Sequence, residues 1–480
     1  MTLDHQFIGT NTEYPLATGV VQSRIHLDGA ASPLVMKTAM DAVNQLLPHY
    51  SNSHSHSHAS ARLMSKAFMW SFDTILKVTG AAEAKESYQC VFMGSGSTAL
   101  LNNVARRLSN RRAAKNGTND DDQLKDIVLV SALEHHANDL PHRHNATVKH
   151  FNVHGENNDQ GDIDLAHLES LLKTYQGRIN YVAFSAVSNV TGIISPIKEI
   201  TELAHQYGAY SVVDCAQMAA HMPLKIAENN ADFIIFSGHK VYAGASPGVM
   251  IAKQALLEQF PSDEMGGGIV DHVGYKDAEF TQAYPARELP GTKNILGAYA
   301  LAKVLDSLNN TGFNKIQQHS FDIWQYAFDK LSAIETHNSD QPITIYGSSN
   351  KTRLGALSFN VKNIDHGLVA AILSDYYGIA VRNECFCAHP YVSSLLKEEL
   401  WSLDLSQIAD EDQEAFINRK RGMLRASFSL YNHQQDVDAL VVAIKDIISH
   451  INDYSNHYEV LENGDYIHKT FSLDTAEYIF

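Results

Sequence analysis

Cysteine is scarce: the 480 residues contain four, Cys90, Cys215, Cys385 and Cys387. So few thiols, so unevenly placed, exclude a disulfide-stapled scaffold and fit a reducing compartment. Positive charge is also in deficit, with 37 Lys and Arg against 54 Asp and Glu and a formal charge of −17. That balance argues against nucleic acid or an anionic membrane surface as a partner. No run of 18 uninterrupted apolar residues occurs, and the opening MTLDHQFIGTNTEYPLATGV has neither a basic region nor a long apolar stretch. Neither a membrane-spanning helix nor a secretory leader is expected, and the chain is read as cytoplasmic. No internal repeat is evident.

What is present is ordinary for a soluble globular protein of two domains: 44% hydrophobic and 19% charged residues. The strand-like IHLDGAAS (Ile25–Ser32) follows a loose N-terminal arm, and residues 34–47 carry apolar side chains at helical spacing. A polar loop from Asn52 to Ser60 leads to a second helix through Met64–Val78. The chain then alternates. YQCVFM, DIVLVS, NYVAFSA, YSVVD and FIIFS read as buried strands, separated by turn residues or by helices such as Ser97–Leu108 and Ile197–Tyr207. The charged RRAAKNGTNDDDQ reads as a surface loop. Strands alternating with helices predict an α/β fold with a mostly parallel sheet and chemistry at the C-terminal ends of its strands. The helical ILGAYALAKVLDSL is followed by shorter pieces, ALSFNV, GIAVRN, RASFSL and a helix near Val437–Ile451, which predict a smaller α+β domain. The expected division is 1–33 as an arm and strand contributing to the small domain, 34–300 as the large domain, 301–454 as the small one, and 455–480 as an unplaced tail.

Several motifs stand at strand ends. FIIFSGHK puts Lys240 just past a buried strand, after Ser237 and His239, and YSVVDCAQ ends a strand on Asp214 with Gln217 close behind. Alone, such a lysine reads as a solvated side chain and such an aspartate as a cap or turn former. Their separation by one strand–helix unit would bring both to the same sheet edge. Gly94-Ser95-Gly96-Ser97-Thr98 follows YQCVFM and opens a helix, where backbone N–H groups and hydroxyls can meet a phosphate. GSGSTA also satisfies the dinucleotide pattern G-x-G-x-x-A, but the stretch about twenty residues on is a charged loop rather than a strand ending in an acid. His135, in EHHAN, offers a flat ring, and Asn189 sits in the turn SNVTG. An amine, a buried carboxylate, phosphate donors and a flat ring are together what pyridoxal 5′-phosphate (PLP) asks of a protein.

EHHAN, SNVTG, VVDCAQ and SGHK, in that order, resemble the class V aminotransferase superfamily, and within it the cysteine desulfurases of the SufS and selenocysteine lyase type. The resemblance covers roughly residues 24–450. It implies a fold-type-I PLP enzyme with a seven-stranded large-domain sheet, acting on a small amino acid as a homodimer with shared active sites. Lys240 would be the Schiff-base lysine, Asp214 the partner of the pyridinium nitrogen, His135 the ring-stacking residue, and Gln217 the contact to the phenolic oxygen. Ser97, Thr98, Ser237 and His239 would hold the phosphate, with Thr292 reaching the phosphate of the neighbouring subunit. Asn189 would lie near the substrate and Arg425 would grip its α-carboxylate, as a bidentate guanidinium suits. Arg382, at the head of the same loop as Cys387, is the other expected substrate residue.

The resemblance weakens at one place. Relatives typically carry R-x-G-H-H-C-A, whereas this chain reads Arg382-Asn383-Glu384-Cys385-Phe386-Cys387-Ala388. Cys387 keeps the nucleophile's distance from Arg382, while the glycine and both histidines are absent. A small buried thiol is the alternative reading of Cys387, and Cys385 is read as a packing residue before a resolving one. The alternating His54, His56 and His58 would suit a shared ion, but their place in the family favours substrate-lining or interface histidines and no metal. The implied reaction is conversion of L-cysteine or L-selenocysteine to alanine with a persulfide or its selenium analogue on Cys387, and a sulfur-acceptor protein as partner. A class V aminotransferase, lyase or epimerase without a persulfide step is the alternative, because fold and cofactor do not choose among them.

Overall fold

The computed structural model describes residues 3–109, 125–156, 159–260, 262–335, 341–348, 352–401, 403, 413, 417, 420–461 and 463–476. The segment 111–123, read above as a surface loop, lies outside them.

Seven strands build the central sheet: β1 (Tyr88–Met93), β2 (Ile127–Ser131), β3 (Thr147–Phe151), β4 (Ile179–Ser185), β5 (Tyr210–Asp214), β6 (Phe233–Ser237) and β7 (Gly248–Lys253). Their spatial order is β1-β7-β6-β5-β4-β2-β3. All run parallel except β7, which is antiparallel to both neighbours. The inner strands are buried along nearly their whole length because both faces are covered, which is why they read as continuous apolar runs. One face packs the large core that includes Phe92, Leu129, Phe184 and Phe236; the other packs Val91, Val130, Tyr181 and Ile235. Two strands escape the sequence reading. β3 is an edge strand with alternating polar residues, and β7 follows the Lys240 turn so closely that its apolar run merges with the loop.

Helices α1 (Lys37–Leu46), α2 (Ala59–Val78) and α4 (Ile295–Thr311) pack together beside the sheet, and α3 (Ser97–Ser109) follows β1 directly. A second apolar core gathers Trp324, Leu357, Phe359, Leu373 and Leu440 between a three-stranded antiparallel sheet and the helices α5 (Phe313–Ser332), α6 (His366–Tyr377) and α7 (Gln434–Ser455). That sheet consists of β8 (Ile343–Ile345), β9 (Ala356–Val361) and β10 (Leu424–Ser427). Ile25–His26 pairs in parallel with Ile379–Ala380, and Leu27 enters the second core, so the chain's start is stitched to this later body.

The N-terminal arm is docked, not loose. Phe7 is buried and packs edge-on against Tyr242 at 5.1 Å and Tyr431 at 5.0 Å between ring centres. The tail, unplaced from sequence, forms a short hairpin, Tyr458–Val460 with Tyr466–His468, against α6. Tyr458 donates to Asp375 at 3.0 Å, and the Tyr376 hydroxyl meets His468 Nε2 at 3.0 Å. Among the described residues no helix is long and apolar enough to cross a membrane.

Candidate active site

Parallel register carries Asp214, Ser185 and Ser237 to one edge of the sheet. Asp214 lies beside Ser185 on β4 and Ile235 on β6, two residues before Ser237. There a cavity of about 370 Å³ opens. It is lined by Ser97, Thr98, His135, Asn189, Asp214, Gln217, Ser237, His239, Lys240, Arg382, Cys387 and Arg425, twelve of the thirteen residues expected from sequence. Thr292, the thirteenth, is exposed and outside it.

The Gly94–Thr98 turn depends on its glycines. Gly94 has φ +55, a conformation that disfavours side chains, and a Cβ on Gly96 would come within 3.2 Å of Ser237 Oγ and 3.4 Å of His239 Cε1. Ser97 N–H donates to Ser237 Oγ at 2.8 Å, and the two hydroxyl oxygens lie 3.1 Å apart. The result is a concave, donor-rich cradle at the start of α3, next to His239.

Lys240 is half-buried. Burial lowers the pKa of its ammonium, Arg425 pushes the same way, and Asp214 and Cys387 oppose them. An amine shifted down is more readily neutral, as a nucleophilic lysine must be. Asp214 is buried and accepts from Ala216 N–H at 2.9 Å. Burial raises its carboxyl, while that hydrogen bond and Lys240 hold it down. His135 accepts from Ala137 N–H through Nδ1 at 3.0 Å. Burial, then Lys240, lower its pKa to about 4, so the ring is neutral at neutral pH. Gln217 turns its amide nitrogen to the Ala30 carbonyl at 2.8 Å.

Arg425 enters from β10. Its guanidinium is buried, donates to the Asn189 carbonyl at 2.9 Å and to Asp28 at 3.2 Å, and lies over the Phe386 ring at 4.7 Å. Its Nε has no hydrogen-bond partner among the described residues. The loop carrying Cys387 has three non-glycine residues with left-handed backbone: Glu384 (φ 84), Phe386 (φ 52) and Cys387 (φ 55). Each costs of order 1–3 kcal/mol, and such strain persists only where surroundings impose it. Here Arg382 and Arg425 exchange backbone bonds at 3.1 and 2.7 Å, and Met423 N–H donates to Glu384 at 3.0 Å. Asn189 Nδ2 donates to the Phe386 carbonyl at 2.8 Å and His136 N–H to that of Cys387 at 2.7 Å. Cys387 is thereby presented, exposed, at the cavity. Cys385 is buried, its thiol donates to the Arg421 carbonyl at 3.0 Å, and burial raises its pKa to about 11; it packs.

His54, His56 and His58 do not line the cavity. His58 caps α2 by accepting from Ala61 N–H at 3.3 Å, and His54 Nε2 meets the Gly291 carbonyl at 3.2 Å. No cluster of metal-ligating side chains occurs among the described residues. Three groups at or behind the site went unread in the sequence. Asp28 pairs with Arg425, and Phe386 covers its face. Glu134, buried behind the cavity, accepts from Ser185 N–H at 2.8 Å, Ser185 Oγ at 2.6 Å, Asn138 Nδ2 at 2.5 Å and Ser131 Oγ. Only Glu134 had a signal, its place in the EHHAN motif.

Known proteins share this arrangement of chain. A probable cysteine desulfurase of Halalkalibacterium halodurans is 31% identical over 427 residues, 88% of this chain and 92% of its own length. One of Vibrio cholerae is 29% identical, covering 90% and 96%. Among solved structures, the apo cysteine desulfurase of Thermococcus onnurineus superimposes with a TM-score of 0.74 at 26% identity, over 89% of this chain and 95% of that one. The Escherichia coli cysteine desulfurase CsdA, in its S-sulfonic acid form, gives 0.71 at 25% identity with the same coverage. The Aminotransferase class-V family matches residues 25–440, from the Ile25–His26 strand into α7, and the chain belongs to that family.

Proposed function

We propose that the chain is a PLP-dependent cysteine desulfurase or selenocysteine lyase, with Cys387 as the sulfur-accepting thiol. The observation that carries this reading is that Lys240, Arg425 and Cys387, from three distant parts of the sequence, face one cavity.

The residues present fit PLP. The Gly94–Thr98 cradle, with Ser97, Thr98, Ser237 and His239, suits a phosphate, and a Cβ on Gly96 would crowd the Ser237 and His239 side chains beside it. Asp214 suits a ring nitrogen, the neutral face of His135 a stacked ring, Gln217 a phenolic oxygen, and Lys240 the aldehyde. When bound, PLP withdraws electrons from the carbon skeleton of an amino acid.

The protein's own groups would do the rest. Arg425 lines the cavity with a charge only partly offset by Asp28, so it can take the substrate carboxylate. Asn189 holds the Phe386 carbonyl and thereby the loop, besides lining the cavity. Lys240 lines the same cavity and, as a neutral amine, would move a proton to or from the substrate there. Cys387, as thiolate, would take the substrate's sulfur and become a persulfide while the remaining three-carbon amino acid leaves as alanine. Its exposure suits onward transfer to a sulfur-acceptor protein.

A homodimer accords with Thr292 standing exposed outside the cavity and with Met40, Leu47, Tyr50, Leu63 and Met69 exposed along and just beyond α1 and on α2. Four free thiols suit a reducing cytoplasm. The test is incubation of PLP-loaded protein with L-cysteine and a reductant. Alanine and sulfide in equal amounts, both lost in Cys387→Ser, support the reading. A keto acid with amino-form cofactor replaces it with a transaminase.

A further inference from the structure

The motif that supplies His135 also supplies His136, which has no part in the cavity. Its main-chain N–H donates to the Cys387 carbonyl at 2.7 Å. Its ring Nε2 accepts from the His389 N–H at 3.3 Å, and the two imidazoles meet edge to face at 4.8 Å. His136 therefore grips the chain on both sides of Ala388. The grip requires an uncharged ring, since an imidazolium carries N–H on both nitrogens and cannot accept.

We infer that His136 and His389 form a latch that fixes the strained Cys387 loop against the segment following β2, and that protonation of the His136 ring opens it. His136 is thus a positioning residue for Cys387, and acid is the releasing signal. The inference rests on the proposed function only in taking Cys387 as the thiol that matters.

The charged surroundings agree with this. Burial lowers the His136 pKa, and His389 and Arg143 add to the lowering. Asp139 opposes them, but it is engaged by Arg143 at 2.6 Å and His150 at 3.0 Å. The His135 ring, 6.4 Å away and itself lowered to about 4, adds no charge near neutrality. Because the folded pKa lies below the ordinary 6.5, the latch is whole above that value and is lost as pH falls through the lowered one. The φ values at Phe386 and Cys387 mean that a released loop has conformational strain to shed.

Hydrogen–deuterium exchange of the full chain at amides 386–389 tests this. In His136→Phe, exchange should quicken roughly five- to ten-fold at neutral pH, the factor one net hydrogen bond is worth. His136→Gln, whose side-chain oxygen can accept from the His389 N–H, should restore protection and abolish the acid-induced opening of the wild type. His389→Ala, at an exposed position, should move that opening to higher pH. Loop exchange in folded His136→Phe equal to wild type overturns the latch; so does an acid transition that neither His136→Gln nor His389→Ala alters. None of these readouts needs turnover. A chain that leaves both L-cysteine and L-selenocysteine intact yet shows His136-dependent protection would reject the proposed function and leave the latch standing.

Discussion

Glu134 offers a prediction whose size follows from the structure. Its carboxyl is buried, and burial pushes its pKa from 4.5 up to about 7 despite hydrogen bonds from Ser131, Ser185 and Asn138 that pull the other way. A raised folded-state pKa means that the associated stability is fully present below pH 4.5 and is lost as pH rises through about 7. In that window the unfolded chain releases the proton while the folded one keeps it. The gap corresponds to roughly 3 kcal/mol. Glu134→Gln cannot ionise, so it removes this dependence. It adds a pH-independent cost of about 1–2 kcal/mol, because its amide nitrogen must face the Asn138 donor. Urea denaturation of both proteins from pH 4.5 to 8 reads the difference, in which all other titrating groups cancel. The stability advantage of wild type over the variant should shrink by roughly 3 kcal/mol between the two ends. A difference flat with pH would refute the reasoning and mean that the four donors hold Glu134 ionised throughout.

Three further outcomes are expected. Lys240→Ala, dialysed against an amine and then against buffer, should lose the visible absorption of the PLP-loaded protein; an unchanged spectrum would remove Lys240 from its place. Arg425→Lys keeps charge but not the fork, and should raise KM for the amino acid roughly 10- to 100-fold, as expected for lost charge-assisted hydrogen bonds, with the cofactor spectrum unaltered. Glu288→Ala strands Arg107, whose guanidinium is 1% exposed and bonds Glu288 at 2.6 and 3.1 Å. It should cost about 3–5 kcal/mol in thermal or urea unfolding, as for other broken buried pairs.

The α/β fold was legible because β2, β4, β5 and β6 are buried on both faces and announce themselves as apolar runs. The edge strand β3 and the antiparallel β7 were not, since one alternates polar residues and the other has no turn signal of its own. The cavity-lining residues at strand ends were legible for the same reason: Asp214 and Ser237 close their strands, and Lys240 and His135 follow theirs within a few residues. Arg425 needed the family resemblance, since nothing local distinguishes a buried guanidinium opening a short strand. Asp28 and Phe386 were hidden because their roles exist only where β10, the N-terminal segment and the Cys387 loop meet across some 400 positions of sequence. The docking of the arm through Phe7 is likewise a long-range contact, with Tyr242 and Tyr431.

The central claim is that Cys387 receives the substrate's sulfur, and a single-turnover experiment addresses it without coupling enzymes. PLP-loaded protein is mixed with one equivalent of L-cysteine in the absence of reductant, quenched with an alkylating agent, digested and examined by mass spectrometry. The account predicts that fragment ions place one extra sulfur atom on Cys387 in step with alanine release, while Cys385 in the same peptide, and Cys90 and Cys215 elsewhere, carry none. Alanine formed with every thiol unchanged, or the extra sulfur found on Cys385 in place of Cys387, would contradict it.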